Sequence, residues 1–185
     1  FANVHIFDSS SWNIASELAS KFPGSGGSAS KANCKIQASY EYKSGELKLL
    51  AIAGGTTNDQ SYSQFIPSFL SKGDIALFDL GYFRSGTFIE IGRRGAFYLS
   101  RFLTSMSLYD SQDGANTLDL QQIASNFPGN YGTAEIFVGA EKNKRFKTRL
   151  VCLRLPEERA NERRRKLKAE AQRNGKTYSK SSGIL

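Results

Sequence analysis

Short apolar runs divide the first half of the chain into predicted strands. The stretches NVHIF, DIALFD and AFYLSRF each have the length and apolar content of a buried strand. Between the first two, Ile36, Ala38 and Tyr40 alternate with polar residues before the turn KSGE, and LKLLAIAG follows it, which predicts a β-hairpin.

Helical spacing appears in three places in this first half. The segment SSSWNIASELASKFPGSGG contains a short predicted helix and then a Gly/Ser loop. In SYSQFIPSFLSKG the apolar residues recur at helical spacing, and Pro67 should kink or shorten that helix. The third helix is predicted in SGTFIEIGRRG, with Ser85 as its N-cap.

The pattern changes after residue 103. TLDLQQIASNF predicts a helix, and GTAEIFVG and FKTRLVCLRL predict two strands joined by the basic turn AEKNKR. The last predicted element is a long helix, for which Pro156 suits the first turn and Gly175 suits the stop. The first 103 residues therefore predict an α/β fold with a mixed sheet flanked by helices, and residues 104–185 a mixed β/α segment.

Composition narrows the classes of protein that fit this pattern. No run of the chain approaches the 18 apolar residues of a membrane span, and no signal peptide is apparent. Cys34, Cys152 and His5 lack the spacing of a zinc or redox site. Phe1 falls within a predicted strand and the only methionine is Met106, so we expect the chain to be a piece of a longer protein.

The net charge of +8 is concentrated near the C-terminal end. Residues 141–180 hold 15 Lys and Arg against 5 acidic residues, whereas the rest of the chain holds 10 against 12. A local excess of this kind suits contact with a polyanion such as DNA. A solvated, charged helix face explains it equally well.

Two predicted strands share the ending Phe-Asp, which places Asp8 and Asp79 as the first polar residues beyond them. If the strands are neighbours, both carboxylates lie at the carboxyl edge of the sheet, where ligand sites form. Paired carboxylates suit Mg²⁺, which takes hard oxygen ligands together with substrate phosphates. An aspartate after a strand is also a common turn former or helix cap, and the pattern alone leaves both readings open.

Several ordered blocks of the chain resemble the bacterial insertion-sequence transposases with a ribonuclease-H-like DDE domain, in particular the insertion-sequence-four group. The first comprises VHIFDSSSW, LASKFPGSGG, KIQASYEYKSGEL and GGTTND. The second comprises GDIALFDLGYF and FIEIGRRGAFYLSR, and the segment from TRLVCLRL to AQRNGK resembles the insertion that such proteins carry before their third acid.

The resemblance implies that Asp8 and Asp79 are catalytic and bind two Mg²⁺ or Mn²⁺ ions. Residues 1–103 would be the first part of the catalytic domain, and residues 104–185 the insertion before the third-acid helix. The family carries its third acid in the pattern Tyr-x2-Arg-x3-Glu-x6-Lys, which no segment of this chain matches. We therefore expect the third acid beyond Leu185, and the fragment alone to be inactive.

The implied activity is metal-dependent cleavage of DNA at transposon ends followed by strand transfer. The resemblance also implies a dimer in the active complex, no membrane partner, and a location in the bacterial cytoplasm with the nucleoid. The alternatives are a non-catalytic DNA-binding remnant and a metal-dependent nuclease of the same fold. The candidate DNA-binding residues are those of the basic turn and helix: Lys142, Lys144, Arg145, Lys147, Arg163, Arg164, Arg165, Lys166 and Lys168.

Three further residues have expected roles: Tyr82 and Trp12, which lie near the two acids in the sequence, and Asp59, which ends the block GGTTND. Tyr82 is expected to pack in the core or to touch a flanking nucleotide. Asp59 is expected to form a turn or cap, or to orient a neighbour. Trp12 is expected in the core.

Overall fold

The computed structural model of the chain describes residues 1–26, 30–175 and 177. It contains two compact units, with the boundary between Leu103 and Thr104. We call residues 1–103 unit 1 and the residues from Thr104 onwards unit 2, and describe each by itself. In the described part of the chain, no helix has both the length and the apolar character needed to cross a membrane.

Unit 1 is built on a mixed sheet of five strands in the order β3-β2-β1-β4-β5. The strands β1, β2 and β3 pair antiparallel, whereas β1, β4 and β5 pair parallel. This confirms the predicted α/β class and the mixed sheet. The strand bounds are β1 Val4–Asn13, β2 Asn33–Glu41, β3 Leu47–Gly54, β4 Ile75–Phe78 and β5 Phe97–Ser100.

One face of this sheet is covered by helical segments. Phe7 and Phe78 lie on it, and they contact Phe69 of the 3₁₀ helix Ser63–Phe69 and Phe88 of α1 (Ser85–Arg93), at ring-centroid distances of 6.2 and 5.6 Å. Burial of these rings holds the helical layer on the sheet. We call this the covered face.

The opposite face, which we call the open face, is apolar but exposed. Because alternate residues of a strand point to opposite sides, the side chains next to Phe7 and Phe78 in sequence lie here. Eight large apolar side chains of this face are 36 % to 70 % exposed: Ile6, Trp12, Tyr40, Leu47, Leu49, Ile52, Phe97 and Leu99. The expectation that Trp12 lies in the core is therefore wrong, since it is 52 % exposed.

A buried carboxylate fixes the start of the parallel pair β1–β4. Asp74, immediately before β4, accepts hydrogen bonds from the backbone and side chain of Asn3 and from the Ser71 N–H. His5 Nε2 lies 3.5 Å from the same carboxylate. Burial raises the pKa of Asp74, but these partners outweigh it, so the pKa lies below its usual value.

Three predicted details of unit 1 differ in the structure. Strand β1 runs on to Asn13, because its second half pairs with β2 as far as Asn33, so Asp8 lies within the strand and not beyond its end. The segment with Pro67 forms a 3₁₀ helix, and α1 has Arg84 rather than Ser85 at its N-cap position.

The described residues of unit 2 form a three-stranded antiparallel sheet and two α-helices. The sheet order is β6-β7-β8, with strands Leu108–Tyr109, Tyr131–Val138 and Phe146–Leu153. Helix α2 spans Leu120–Ser125, and the basic helix α3 spans Glu157–Arg173. Gly175 has φ +61°, a conformation that glycine adopts without strain at a helix end.

Candidate active site

The pairing of two neighbouring strands places Asp8 next to Asp79. The parallel ladder of β1 and β4 ends at the pair Phe7 and Phe78, and each phenylalanine is followed by one of the two aspartates. Neighbouring strands are about 4.8 Å apart, so the carboxylates emerge at the same level of the sheet. Both residues are exposed.

Backbone amides hold both carboxylates. Asp8 Oδ1 accepts a hydrogen bond from the Ser9 N–H, at 2.8 Å. Asp79 is the N-cap of the 3₁₀ helix Leu80–Tyr82, and its Oδ1 accepts from the Gly81 N–H, also at 2.8 Å. Asp79 therefore caps a turn, as the simpler reading of the sequence proposed, but a carboxylate has further lone pairs with which to bind a cation.

A third carboxylate, that of Asp59, borders the same turn. A Cβ added to Gly81 would lie 3.0 Å from Asp79 Oδ1 and 3.4 Å from Asp59 Oδ2, so glycine lets the two acidic side chains approach this backbone from either side. Asp59 is paired with Lys35 Nζ at 2.8 Å. Gln37 Nε2 donates a hydrogen bond to the same carboxylate, at 2.5 Å.

The partners of Asp59 decide its protonation state. Burial raises its pKa, but hydrogen bonds from Lys35, Gln37 and the Ser9 side chain, together with the charge of Lys35, outweigh burial. The pKa of Asp59 therefore lies below its usual value, and the group is ionised at neutral pH.

Tyr82 lies on the buried side of this cluster of carboxylates. Its side chain is 2 % exposed, and its hydroxyl donates a hydrogen bond to Gln37 Oε1. Burial, followed by the negative charges of Asp59, Asp8 and Asp79, raises the pKa of Tyr82 well above its usual value, so the phenol stays protonated and remains a donor.

The donor set of Asp8 and Asp79 fits a hard divalent cation. In the described residues neither carboxylate has a Lys or Arg partner, whereas the charge of Asp59 is matched by Lys35. No group of three or more His, Cys, Asp or Glu residues within residues 1–26, 30–175 and 177 is arranged to hold a metal. Two exposed carboxylates are nevertheless the number through which Mg²⁺ commonly binds when substrate phosphates complete its shell.

The predicted DNA-binding residues lie in unit 2, and most of them are exposed. Lys142 and Lys144 belong to a 3₁₀ helix in the β7–β8 connection, and Lys147 follows on β8. Exposed ion pairs join Lys144 to Glu141, Lys147 to Glu135 and Lys166 to Glu162, at 2.8 to 2.9 Å. The remaining candidates, Arg163, Arg164, Arg165 and Lys168, are exposed on α3.

Arg145 is the exception among these basic residues. It is 7 % exposed, and its guanidinium donates to the carbonyls of Gly139, Gln112 and Gly114 at 3.2, 2.9 and 2.8 Å. It also lies over the ring of Tyr109, with Cζ 3.2 Å from the centroid. Because these contacts and its burial hold the guanidinium inside unit 2, we leave Arg145 out of the DNA surface.

Sequence reasoning did not identify Lys35 and Gln37, which join Asp59 and Tyr82 to β2. They are separated from Asp59 by 24 and 22 residues, and Gln37 from Tyr82 by 45. No signal within β2 could have found Gln37, because it holds an ordinary polar position in the alternation of Ile36 and Ala38, and only the pairing of β2 with the strand of Asp8 brings it to the site.

Comparison with known proteins identifies the family of the chain. The model of the transposase DDE domain family matches residues 1–183. The transposases of insertion sequence elements IS231B and IS231C of Bacillus thuringiensis subsp. berliner are each 31% identical to the chain, and that of IS1151 of Clostridium perfringens is 28% identical. No solved structure matches the chain.

These relatives are longer than the chain. The two Bacillus alignments cover 100% of this chain and 42% of the relative, and the Clostridium alignment covers 88% and 37%. The chain thus spans less than half the length of the curated relatives it matches. On the strength of the family match over nearly its whole length, the chain belongs to the transposase DDE domain family.

Proposed function

We propose that this chain supplies two of the catalytic carboxylates and a DNA-binding surface of an insertion-sequence transposase. The observation that carries the proposal is the register of β1 and β4, which sets Asp8 and Asp79 at one level on neighbouring parallel strands. The third acid of the family pattern is expected beyond Leu185.

Asp8 and Asp79 would hold Mg²⁺ or Mn²⁺, two ions when the third acid is present. Bound divalent ions supply Lewis-acid stabilisation of the charge that develops on a phosphodiester during its hydrolysis and transfer. The chain's own contribution is orientation: the Ser9 and Gly81 amides each hold one carboxylate oxygen and leave the other for a cation. Exposure of both side chains leaves room for a DNA strand to approach them.

The reaction proposed for the complete protein has two steps. Water first attacks the phosphodiester at the end of the element, so that one P–O bond forms as another breaks and a 3′-hydroxyl is released. That hydroxyl then attacks a phosphodiester of the target DNA, which joins the two molecules and releases a new 3′-hydroxyl. Residues 104–185 are proposed to be the insertion that precedes the third-acid helix.

The proposed DNA surface in unit 2 has two parts. The first is the turn with Lys142 and Lys144, extended by Lys147. Its ion pairs with glutamates are exposed, and such pairs contribute little, so phosphates can replace the glutamates at small cost.

The second part is one flank of α3. At about 100° per residue, Arg164, Arg165 and Lys168 fall within about 100° of one another around the helix. Arg163 and Lys166 fall on other sides of the helix, so a single DNA strand cannot contact all five side chains. We therefore assign the phosphate contacts first to Arg164, Arg165 and Lys168.

Cleavage by the complete protein that contains this chain tests the proposal. Linear DNA that carries the ends of its element is incubated with Mg²⁺, and products are separated by size. We expect Asp8→Asn and Asp79→Asn to lower cleavage at least about 100-fold, because the metal contribution amounts to several kcal/mol. Asp113→Asn, an exposed aspartate of unit 2, is the matched control and should retain full activity.

The same assay distinguishes the other two functions that the sequence allows. Cleavage without joined products would identify a nuclease of the same fold. DNA binding without cleavage, together with the absence of a third acid after Leu185 in the gene, would identify a non-catalytic remnant. Cleavage that survives both Asp8→Asn and Asp79→Asn would refute the assignment of the site.

A further inference from the structure

Behind the two carboxylates lies a network of hydrogen-bonded side chains, formed by Lys35, Gln37, Asp59 and Tyr82. We propose that Asp59 is a positioning residue: with Lys35 and Gln37 it holds Tyr82, and through Tyr82 the turn of Asp79, against the strand of Asp8. This inference rests on the proposed function of Asp8 and Asp79 as metal ligands.

The network begins on the strand next to Asp8. Gln37 of β2 pairs with Ser9, the residue after Asp8, and its side chain is fully buried on the covered face. A buried amide must satisfy both ends, and here the two ends have different partners. Its Oε1 accepts from the Tyr82 hydroxyl, and its Nε2 donates to Asp59 Oδ1.

Asp59 gives this amide a single orientation. An ionised carboxylate only accepts hydrogen bonds, so it must face the NH₂ end of Gln37, which turns Oε1 towards the Tyr82 hydroxyl. Lys35 Nζ completes the arrangement with one bond to Asp59 and another, of 3.0 Å, to the Thr57 carbonyl. With a neutral residue in place of Asp59, both orientations of the amide would become accessible.

Tyr82 transmits this orientation to Asp79. The two residues bound one short turn, in which the Tyr82 N–H donates to the Asp79 carbonyl at 3.3 Å. The Gly81 N–H of the same turn holds the Asp79 carboxylate. The buried side chain of Tyr82 is thus bound to β2 through its hydroxyl, while its backbone N–H is bound to Asp79. A change in the position of Tyr82 would therefore move the turn that holds the Asp79 carboxylate.

A separate contact attaches the segment of Asp59 to the same turn. The 3₁₀ helix Asp59–Ser61 lies against the 3₁₀ helix Leu80–Tyr82, and Gln60 Nε2 donates to the Phe83 carbonyl at 2.8 Å. Asp59 is therefore linked to the Asp79 turn in two ways: through the side chains of Gln37 and Tyr82, and through Gln60, the next residue in the chain.

The geometry assigns Asp59 this role rather than that of a third metal ligand. Its charge is matched by Lys35 at 2.8 Å, which a bound cation would have to displace. It also does not belong to any group of three or more metal-binding side chains in the described ranges 1–26, 30–175 and 177.

Titration of the 185-residue chain with Mn²⁺ alone tests the inference. The readout is the paramagnetic broadening of amide resonances next to Asp8 and Asp79, from which a dissociation constant is obtained. We expect Tyr82→Phe and Asp59→Asn to weaken Mn²⁺ binding by about 10-fold to 100-fold, as is typical when a group that orients a metal ligand is removed. Tyr62→Phe, a tyrosine of the neighbouring helical segment, is the control and should bind as the unaltered chain does.

The measured outcomes separate the inference from the proposed function. If Tyr82→Phe and Asp59→Asn lower the unfolding midpoint but bind Mn²⁺ unchanged, the network is merely structural and the inference is overturned. If Asp8→Asn and Asp79→Asn leave Mn²⁺ binding unchanged, the proposed function fails instead. Tyr82→Phe removes one oxygen atom and keeps the buried ring, so it retains the fold even if Asp59→Asn does not.

Discussion

Phe7 of β1 and Phe78 of β4 are the last paired residues of a parallel ladder, and an aspartate follows each of them. The pairing brings two carboxylates to neighbouring strands without a cation from the described residues between them. Like charges on adjacent strands repel each other, so we expect this pair of carboxylates to lower the stability of the fold when no cation is bound.

The first prediction concerns that repulsion. In metal-free buffer Asp8→Asn should raise the free energy of unfolding by about 0.5 kcal/mol, because it removes one of two like charges. Mg²⁺ should raise the thermal midpoint of the unaltered chain, since a ligand that binds only the folded state stabilises it, and should not raise that of Asp8→Asn. Thermal unfolding followed by circular dichroism measures both.

Asp113→Asn is the control for this prediction, as an exposed aspartate of unit 2. It should change neither the midpoint nor the response to Mg²⁺. An equal stabilisation of the unaltered chain and of Asp8→Asn by Mg²⁺ would show that the ion binds elsewhere.

The sequence predicted the strands of unit 1, because strands have local signals. The run IALFD predicts β4 and its following aspartate from five consecutive residues, and the alternation of Ile36, Ala38 and Tyr40 predicts β2. Whether β1 and β4 are neighbours was left as a condition by the sequence, and the structure shows that they pair.

The sequence did not predict which face of the sheet in unit 1 is covered by helical segments. The apolar residues of β2 lie on the open face, whereas Gln37, Ser39 and Glu41 are buried. That choice depends on helical segments far along the chain and on long-range partners such as Tyr82, which no pattern within β2 contains. The burial of Arg145 was missed for the same reason, since its partners Gln112 and Gly114 lie more than 30 residues away.

The second prediction is a pH dependence that arises from Glu41. Hydrogen bonds from the Ser44 side chain, the backbone N–H groups of Lys43 and Ser44, and the Val4 N–H together lower its pKa to about 2. A carboxyl with a lowered folded-state pKa stabilises the fold above its unfolded value of 4.5, and this contribution is lost as the pH falls towards 2. The stability difference between the unaltered chain and Glu41→Gln should therefore shrink across that range.

Urea denaturation at a series of pH values measures this difference. Glu46→Gln serves as the control, because Glu46 lies in the same hairpin turn but is exposed. If the free energies of unfolding of the unaltered chain and of Glu41→Gln differ by the same amount from pH 5 to pH 2, the pKa of Glu41 is not lowered from that of an ordinary carboxyl group.

The third prediction contrasts the two faces of the sheet in unit 1. Leu49→Ala on the open face should change the free energy of unfolding by no more than about 0.5 kcal/mol, because Leu49 is 59 % exposed. Ile91→Ala, beneath the covered face and fully buried, should cost about 2 to 5 kcal/mol. Chemical denaturation compares them, and a large cost at Leu49 would mean that the open face is covered in solution.

The fourth prediction separates the two roles of arginine in unit 2. Arg165→Ala should weaken DNA binding and reduce the slope of log K against log salt by about 1, because it removes one phosphate contact. Its stability should stay within about 0.5 kcal/mol of the unaltered chain, since the side chain is exposed. Fluorescence anisotropy with a labelled duplex at several salt concentrations measures the slope.

Arg145→Ala should give the opposite result. Three carbonyls would lose their donor and the Tyr109 ring its cation, so unit 2 should be destabilised by about 1 to 3 kcal/mol. The salt slope of the folded protein should be unchanged, because a guanidinium that is 7 % exposed does not reach phosphates. A reduced slope for Arg145→Ala without loss of stability would return this residue to the DNA surface and show that the contacts with Gly139, Gln112 and Gly114 open when DNA binds.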